Sequence, residues 1–235
     1  MTPLREAPVA TTEQGTGSEN TLTRILIVDD HTTFVELLAG ALDREQDMRS
    51  VGTANTVRSC IDQFYAVKPD VVVMDYHLRD GSGLDAAAII LADRPSTRIV
   101  MLTGDPTLEA LEEAAAIGIC AFLPKDGSLT TMLDTLRHAR TGGIVVHPSL
   151  VTQLGVRHAN PESRRFPAMT SRELDVLRLM SEGKDVRANA RLLGISENTC
   201  RGHVKSILAK TGAHSQLEAV VVAARLGLIQ AQDHA

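Results

Sequence analysis

Five times between residues 24 and 140, a short apolar run is followed by a stretch with helical spacing. That alternation most constrains what this chain can fold into. The apolar runs cover residues 24–28, 48–54, 71–74, 98–102 and 119–123. They are short, several are β-branched, and the central one has no polar face, as expected of parallel strands buried on both sides. Residues 31–43 place Phe34, Leu37, Leu38, Ala41 and Leu42 on one helical stripe, and residues 56–67 do the same with Val57, Ile61 and Phe64. Helices are also expected over 84–92, from Asp105 as N-cap and Pro106 as first helical residue to about 117, and over 128–140. Five β-α repeats predict an α/β domain built on a doubly wound, five-stranded parallel sheet.

The pattern then changes. Glycines and prolines between 142 and 167 read as a linker, with a short helix near 149–154. From Thr170 onward the spacing is purely helical, over 171–182, 185–193, 197–210 and 215–226: a second, all-α domain of four helices. Residues 1–22 lack periodicity and read as a disordered tail. The expected division is therefore tail 1–22, α/β domain 23–142, linker 143–166 and helical domain 167–230.

Charge divides the same way. The formal net charge is −5, but residues 163–229 hold 11 Lys and Arg against 6 Asp and Glu, leaving 13 against 23 elsewhere. An acidic body with a basic C-terminal part directs only the latter toward a polyanion. Cys60, Cys120 and Cys200 are scattered without CxxC spacing, which argues against a disulfide framework or a cysteine-built zinc site. No apolar run approaches a membrane span and no secretory signal opens the chain, so a cytoplasmic location without membrane contact is expected.

The third strand ends on Asp75, at the edge where open α/β sheets put their ligands. Asp29 and Asp30 follow the first strand, Thr103 the fourth and Lys125 the fifth. Each alone has an ordinary use as a turn, cap or solvated loop residue. Together, at successive strand ends, they describe a cleft. Three carboxylates there repel one another, and a divalent cation relieves that repulsion. Mg²⁺ suits an oxygen-only site that must also admit phosphate and water. A carboxylate can act as nucleophile toward phosphorus, with Lys125 and the Thr103 hydroxyl holding the other oxygens. No glycine-rich phosphate cradle is present, so a nucleotide-binding Rossmann domain fits poorly.

The segments Ile27-Val28-Asp29-Asp30-His31, Met74-Asp75-Tyr76-His77-Leu78, Leu102-Thr103-Gly104 and Phe122-Leu123-Pro124-Lys125 closely resemble the receiver domain of two-component response regulators, over about residues 24–142. The resemblance implies strand order 2-1-3-4-5 and Asp75 as phosphoacceptor. It implies Mg²⁺ on Asp30, Asp75 and the backbone carbonyl of His77, with Asp29 assisting; the His77 imidazole stays out. Thr103 and Phe122 match the family's switch pair, the hydroxyl moving to the phosphoryl group as the ring turns inward. Arg79 departs from the pattern, standing where proline is usual.

In the helical part, residues 185–193, Gly194-Ile195-Ser196 and 197–210 read as helix, tight turn, helix. Cys200, Val204, Ile207 and Leu208 share one face of the second helix, and Asn198, Arg201, Gly202 and Lys205 the other. An ordinary solvated face has the same pattern, but in a helix-turn-helix this face enters the major groove. Thr170-Ser171-Arg172-Glu173, Gly194-Ile195-Ser196-Glu197, Thr199, His203-Val204, Lys210 and Glu218-Ala219-Val220 resemble the LuxR-type DNA-binding domain. By that resemblance Arg201, Gly202 and Lys205 face bases, while Thr199, His203 and Lys210 lie near phosphates. Asn189, Thr211 and Gln216 depart from its pattern.

The whole chain thus resembles a NarL/FixJ-type response regulator. That implies a non-enzymatic, DNA-binding transcriptional regulator, phosphorylated by a sensor histidine kinase and forming a homodimer when phosphorylated or on double-stranded DNA. The competing expectations are a receiver-containing protein-interaction adaptor and an orphan regulator that acts without phosphorylation.

Overall fold

Each β-α repeat forms, and the strands align in parallel. The computed structural model describes residues 22–146 and 168–229. Nearly all of the expected tail over 1–22, and the short helix near 149–154, lie outside the described residues. Strands β1 (Thr23–Val28), β2 (Met48–Ala54), β3 (Val71–Asp75), β6 (Arg98–Thr103) and β7 (Ala121–Pro124) stand in the order β2-β1-β3-β6-β7. That is the order the receiver resemblance implies. Helices α1 (Thr32–Leu42), α2 (Val57–Val67), α3 (Gly83–Asp93), α4 (Leu108–Ala116) and α5 (Leu129–Arg140) are the crossovers.

Side chains alternate across the sheet. Ile25, Ile27, Val71, Val73, Val100, Leu102, Ala121 and Leu123 pack toward α1 and α5. Leu26, Val28, Val72, Met74, Ile99, Met101 and Phe122 pack toward α2, α3 and α4. This two-sided burial is why the runs read as continuous apolar stretches.

Three expectations are corrected. The main sheet has six strands, because β8 (Val145–Val146) pairs in parallel with Ala121 and Phe122, inside the stretch expected to be linker. Arg98 prepares that pairing by donating to the carbonyls of Ala139 at 2.9 Å and Gly143 at 2.8 Å, which fixes the turn after α5. A two-residue ribbon, β4 (His77–Leu78) with β5 (Gly81–Ser82), shapes the loop after Asp75. Finally, α4 starts at Leu108 with Thr107 as its cap, not at Asp105 and Pro106. The Thr103 hydroxyl binds both the N–H and the carbonyl of Asp105 at 3.1 Å, holding that segment in a turn.

The second domain contains α6 (Ser171–Ser181), α7 (Val186–Leu193), α8 (Glu197–Thr211) and α9 (Gln216–Arg225). Thr170, Asp185, Ser196 and Ser215 cap their N-termini through side-chain oxygens, each typically contributing about 1 kcal/mol. Gly194, at φ +65°, ends α7 in the left-handed region and turns the chain into α8.

The two domains touch. Helix α9 lies against α4, and one apolar cluster runs from Leu108, Leu111 and Ala115 into Val220, Val221 and Ala224. Ser215 Oγ donates to the Ala115 carbonyl at 2.9 Å, and Gln216 Nε2 to the Gly142 carbonyl at 3.4 Å. Arg225 Nε stands 3.4 Å from Glu112 Oε1.

Candidate functional site

Strand register builds the cleft. Asp29 lies two residues beyond Ile27, Asp75 two beyond Val73 and Lys125 two beyond Leu123. The period of two therefore carries all three onto the α1/α5 side of the sheet, at its carboxyl edge. Val28 pairs with Met74 one step earlier, so Asp29 and Asp75 leave adjacent strands side by side. Both are 2% exposed.

Lys125 joins them. Its Nζ is 2.6 Å from Asp75 Oδ2 and 2.8 Å from Asp29 Oδ2, and it stands 5.7 Å from the centre of the Phe34 ring. Burial pulls the Lys125 ammonium down, but its hydrogen bonds to Asp29 and Asp75 outweigh that and raise it. Burial is also the largest influence on Asp75; with repulsion from Asp29 it pushes that carboxyl up against the opposing pull of Lys125. The second oxygen, Asp75 Oδ1, accepts only a long bond of 3.3 Å from the His77 N–H.

Asp29, Asp30, His31 and Asp75 each offer a ligand atom, all within 4.8 Å of one another. Beside the Lys125 ammonium and the His31 ring, the buried Asp29 Oδ2 and Asp30 Oδ1 have no further hydrogen-bond partner. Under-satisfied hard oxygens suit a small divalent cation. His31, not singled out in the sequence, caps this corner, its Nδ1 2.9 Å from Asp30 Oδ1 and 3.1 Å from Asp29 Oδ1. Its position directly after the acidic pair was the available signal. His77 is exposed, its ring edge-on to Tyr76.

Gly83 closes the loop back onto the strand. A Cβ there would stand 1.9 Å from the Asp75 carbonyl oxygen, so no other residue fits without moving Asp75. Asp80 accepts from the Val57 N–H at 2.7 Å and the Arg58 N–H at 3.3 Å, pinning the β4–β5 ribbon to the start of α2.

Thr103 and Phe122 sit apart from this face. Thr103 is fully buried with its hydroxyl committed to Asp105, and the Phe122 ring is already fully inside the cluster with Leu108 and Leu111.

In the helical domain, α8 presents Thr199, Arg201, Gly202 and Lys205 as exposed, with His203 half-buried. Cys200, Val204 and Ile207 lie on the buried side. Arg201 Nη2 is 3.2 Å from Glu197 Oε2, one turn earlier. Lys210 instead faces inward: its Nζ is 2.6 Å from Glu173 Oε2 and 3.0 Å from the Ala168 carbonyl. Burial would raise the Glu173 carboxyl, but bonds from Lys210, Ser206 and Thr170 hold it down to about 2.

The three cysteines are free and buried, and burial pushes the Cys60 thiol up to about 12. They are small core residues here.

A carboxylate cleft on a 2-1-3-4-5 sheet, joined to a helix-turn-helix, defines the class: a receiver coupled to a DNA-binding domain. Residues 25–137 match the response regulator receiver domain, and residues 167–223 match the luxR family of bacterial regulatory proteins. The chain belongs to the LuxR-type response regulators of two-component systems. It is 30% identical over 213 residues to the uncharacterized transcriptional regulatory protein YxjL of Bacillus subtilis, covering 88% of this chain and 97% of that one. It is 27% identical over 207 residues to the response regulator protein VraR of Staphylococcus epidermidis, covering 88% and 99%. It shares its fold with the RcsB response regulator of Salmonella typhimurium, at TM-score 0.53 and 22% identity over 84% of this chain and 97% of that one. Among the described residues no helix is long and apolar enough to cross a membrane.

Proposed function

We propose that Asp75 accepts a phosphoryl group from the phosphohistidine of a sensor kinase and that this controls DNA binding in the cytoplasm. The observation that carries the assignment is the convergence of Asp29, Asp75 and Lys125 on one face at the sheet's carboxyl edge. Lys125 holds Asp75 Oδ2, which leaves Oδ1 as the oxygen free to attack phosphorus. A P–O bond forms as the P–N bond to the histidine breaks. A carboxylate raised by burial is the better nucleophile. Asp30, Asp75 and the His77 carbonyl, with Asp29 assisting, are the residues that would hold Mg²⁺, which when bound would neutralise charge on the transferring group. Lys125 remains to stabilise the phosphoryl oxygens.

Arg201, Gly202 and Lys205 are assigned to the bases of a major groove, and Thr199 and His203 to the flanking phosphates. Lys210, already neutralised by Glu173, takes at most a minor phosphate contact. RcsB, 20% identical over 88% of this chain and all of that one with TM-score 0.53, has been solved as two dimers bound to two parallel DNAs. That supports assigning a paired state on DNA to this chain too.

The deciding experiment incubates the full chain with Mg²⁺ and a small acyl-phosphate donor. A base-labile, acid-stable phosphoryl adduct is expected, at least a hundredfold reduced in Asp75→Asn and suppressed by chelator. Normal labelling of Asp75→Asn would refute the assignment.

A further inference from the structure

Each acidic group of the cleft has a cation, and they are not the same one. Lys125 serves Asp29 and Asp75. Asp30 has the His31 ring at Oδ1, 2.9 Å away, and on its other side Arg79, the permanent charge: Arg79 Nη2 donates to the Asp30 backbone carbonyl at 3.1 Å, and Arg79 Nε stands 3.7 Å from Asp30 Oδ2. The contact is built. Arg79 sits in the tight turn of the β4–β5 ribbon, and the next residue, Asp80, clamps that turn to the backbone N–H groups of Val57 and Arg58. Asp30 is the most exposed member of the acidic group, its side chain 23% exposed against 1% for Asp29 and 3% for Asp75.

We infer that Arg79 is a positioning residue which holds Asp30 in the metal-free cleft and competes with the divalent cation for it. The inference rests on the assignment of Mg²⁺ to this cleft. A cation binding Asp30 must share its oxygens with a guanidinium or displace it. Either way the resident charge opposes the incoming one. A proline in the same turn would bring no such charge. The Arg79 side chain is 61% exposed, so solvent screens the pair. The expected effect is accordingly modest, up to about fivefold in affinity, or about 1 kcal/mol.

The test is calorimetric titration of Mg²⁺ into chelator-treated full chain at low ionic strength, with no phosphodonor. Arg79→Ala and Arg79→Pro should each bind two- to fivefold more tightly than wild type. The gain should shrink in high salt. It should vanish in an Asp30→Asn background, which removes the contested carboxylate. A urea melt of each variant verifies that the fold is intact. Equal affinity in wild type and Arg79→Ala would overturn the inference while leaving the metal assignment standing. Weaker binding in Arg79→Ala would also overturn it, by showing that the guanidinium helps to shape the site. Absence of Mg²⁺ binding in every variant would remove the metal assignment, and the inference with it.

Discussion

Asn189 is fully buried in α7, and neither atom of its amide has a hydrogen-bond partner. Nearby departures from the LuxR pattern are handled differently. The Thr211 hydroxyl donates to the Ile207 carbonyl at 2.8 Å, and the Gln216 amide reaches the Gly142 carbonyl in the other domain. Both have found acceptors; Asn189 has not. Leaving a buried amide unpaired costs about 1–3 kcal/mol. Asn189→Leu, similar in shape and without the amide, is therefore expected to stabilise the helical domain by that amount. The measurement is the urea midpoint of its unfolding transition at unchanged slope. A lower midpoint would mean that the amide has a partner in solution, such as a buried water.

At the scale of elements, α8 is the informative case. Its buried residues Cys200, Val204 and Ile207 recur at helical spacing, and Ser196 caps its start by accepting from the Thr199 N–H at 3.1 Å. The sequence showed this face by periodicity. It could not show which charges on the other face are free. Lys210 and Arg201 look alike in the sequence, yet one is tied to Glu173 across the domain and the other only to a neighbour one turn away. A pair one turn apart on an exposed helix contributes about 0.3–0.5 kcal/mol, little enough for a guanine to replace it. Arg201→Ala should therefore flatten the preference between a cognate and a scrambled site by about 1–3 kcal/mol at fixed salt, measured by competition band-shift. An unchanged ratio would move base reading to another element and favour an adaptor role.

In the whole molecule, the two faces of the sheet divide the work. Asp75 and Lys125 lie toward α1 and α5, while Phe122 lies in the cluster beneath α4. Thr103 ends the strand between them, its carbonyl accepting from the Lys125 N–H and its hydroxyl holding Asp105 in the segment that leads into α4. If the hydroxyl turns to a phosphoryl group on Asp75, those bonds break and α4 loses its anchor. Helix α9 rests on α4, so the disturbance would reach the DNA-binding domain through one packed contact. Arg201, Gly202 and Lys205, the residues assigned to the bases, are exposed on α8. What the receiver covers is α9. The Arg225–Glu112 pair sits at the edge of that contact, both partners part-exposed, so its reversal should loosen the contact mildly. Arg225→Glu should speed amide hydrogen exchange in α9 two- to fivefold, and Glu112→Arg added to the same chain should restore it. Unchanged exchange would assign the contact to its apolar cluster and the Ser215 and Gln216 hydrogen bonds, without the ion pair.

The sequence by itself determined the β-α alternation, the strand ends and the identity of the cleft. Those features follow from local periodicity and from the rule that parallel strands present their carboxyl ends on one edge. It also fixed the helix-turn-helix, because caps and an apolar stripe are local signals. Tertiary structure alone decided which cation serves which carboxylate. Arg79 and Asp30 are 49 residues apart, and only the fold of the ribbon after Asp75 brings them together. The start of α4 at Leu108 was instead a local contest: the Thr103 hydroxyl binds Asp105 two residues on, and Thr107 takes the cap. The contact between α4 and α9 was equally hidden. Leu108, Ala110, Leu111, Ala114 and Ala115 are all buried in a nine-residue helix, so its apolar surface is wider than one sheet can cover. A sequence shows that such a surface must be buried; only the folded chain shows against what.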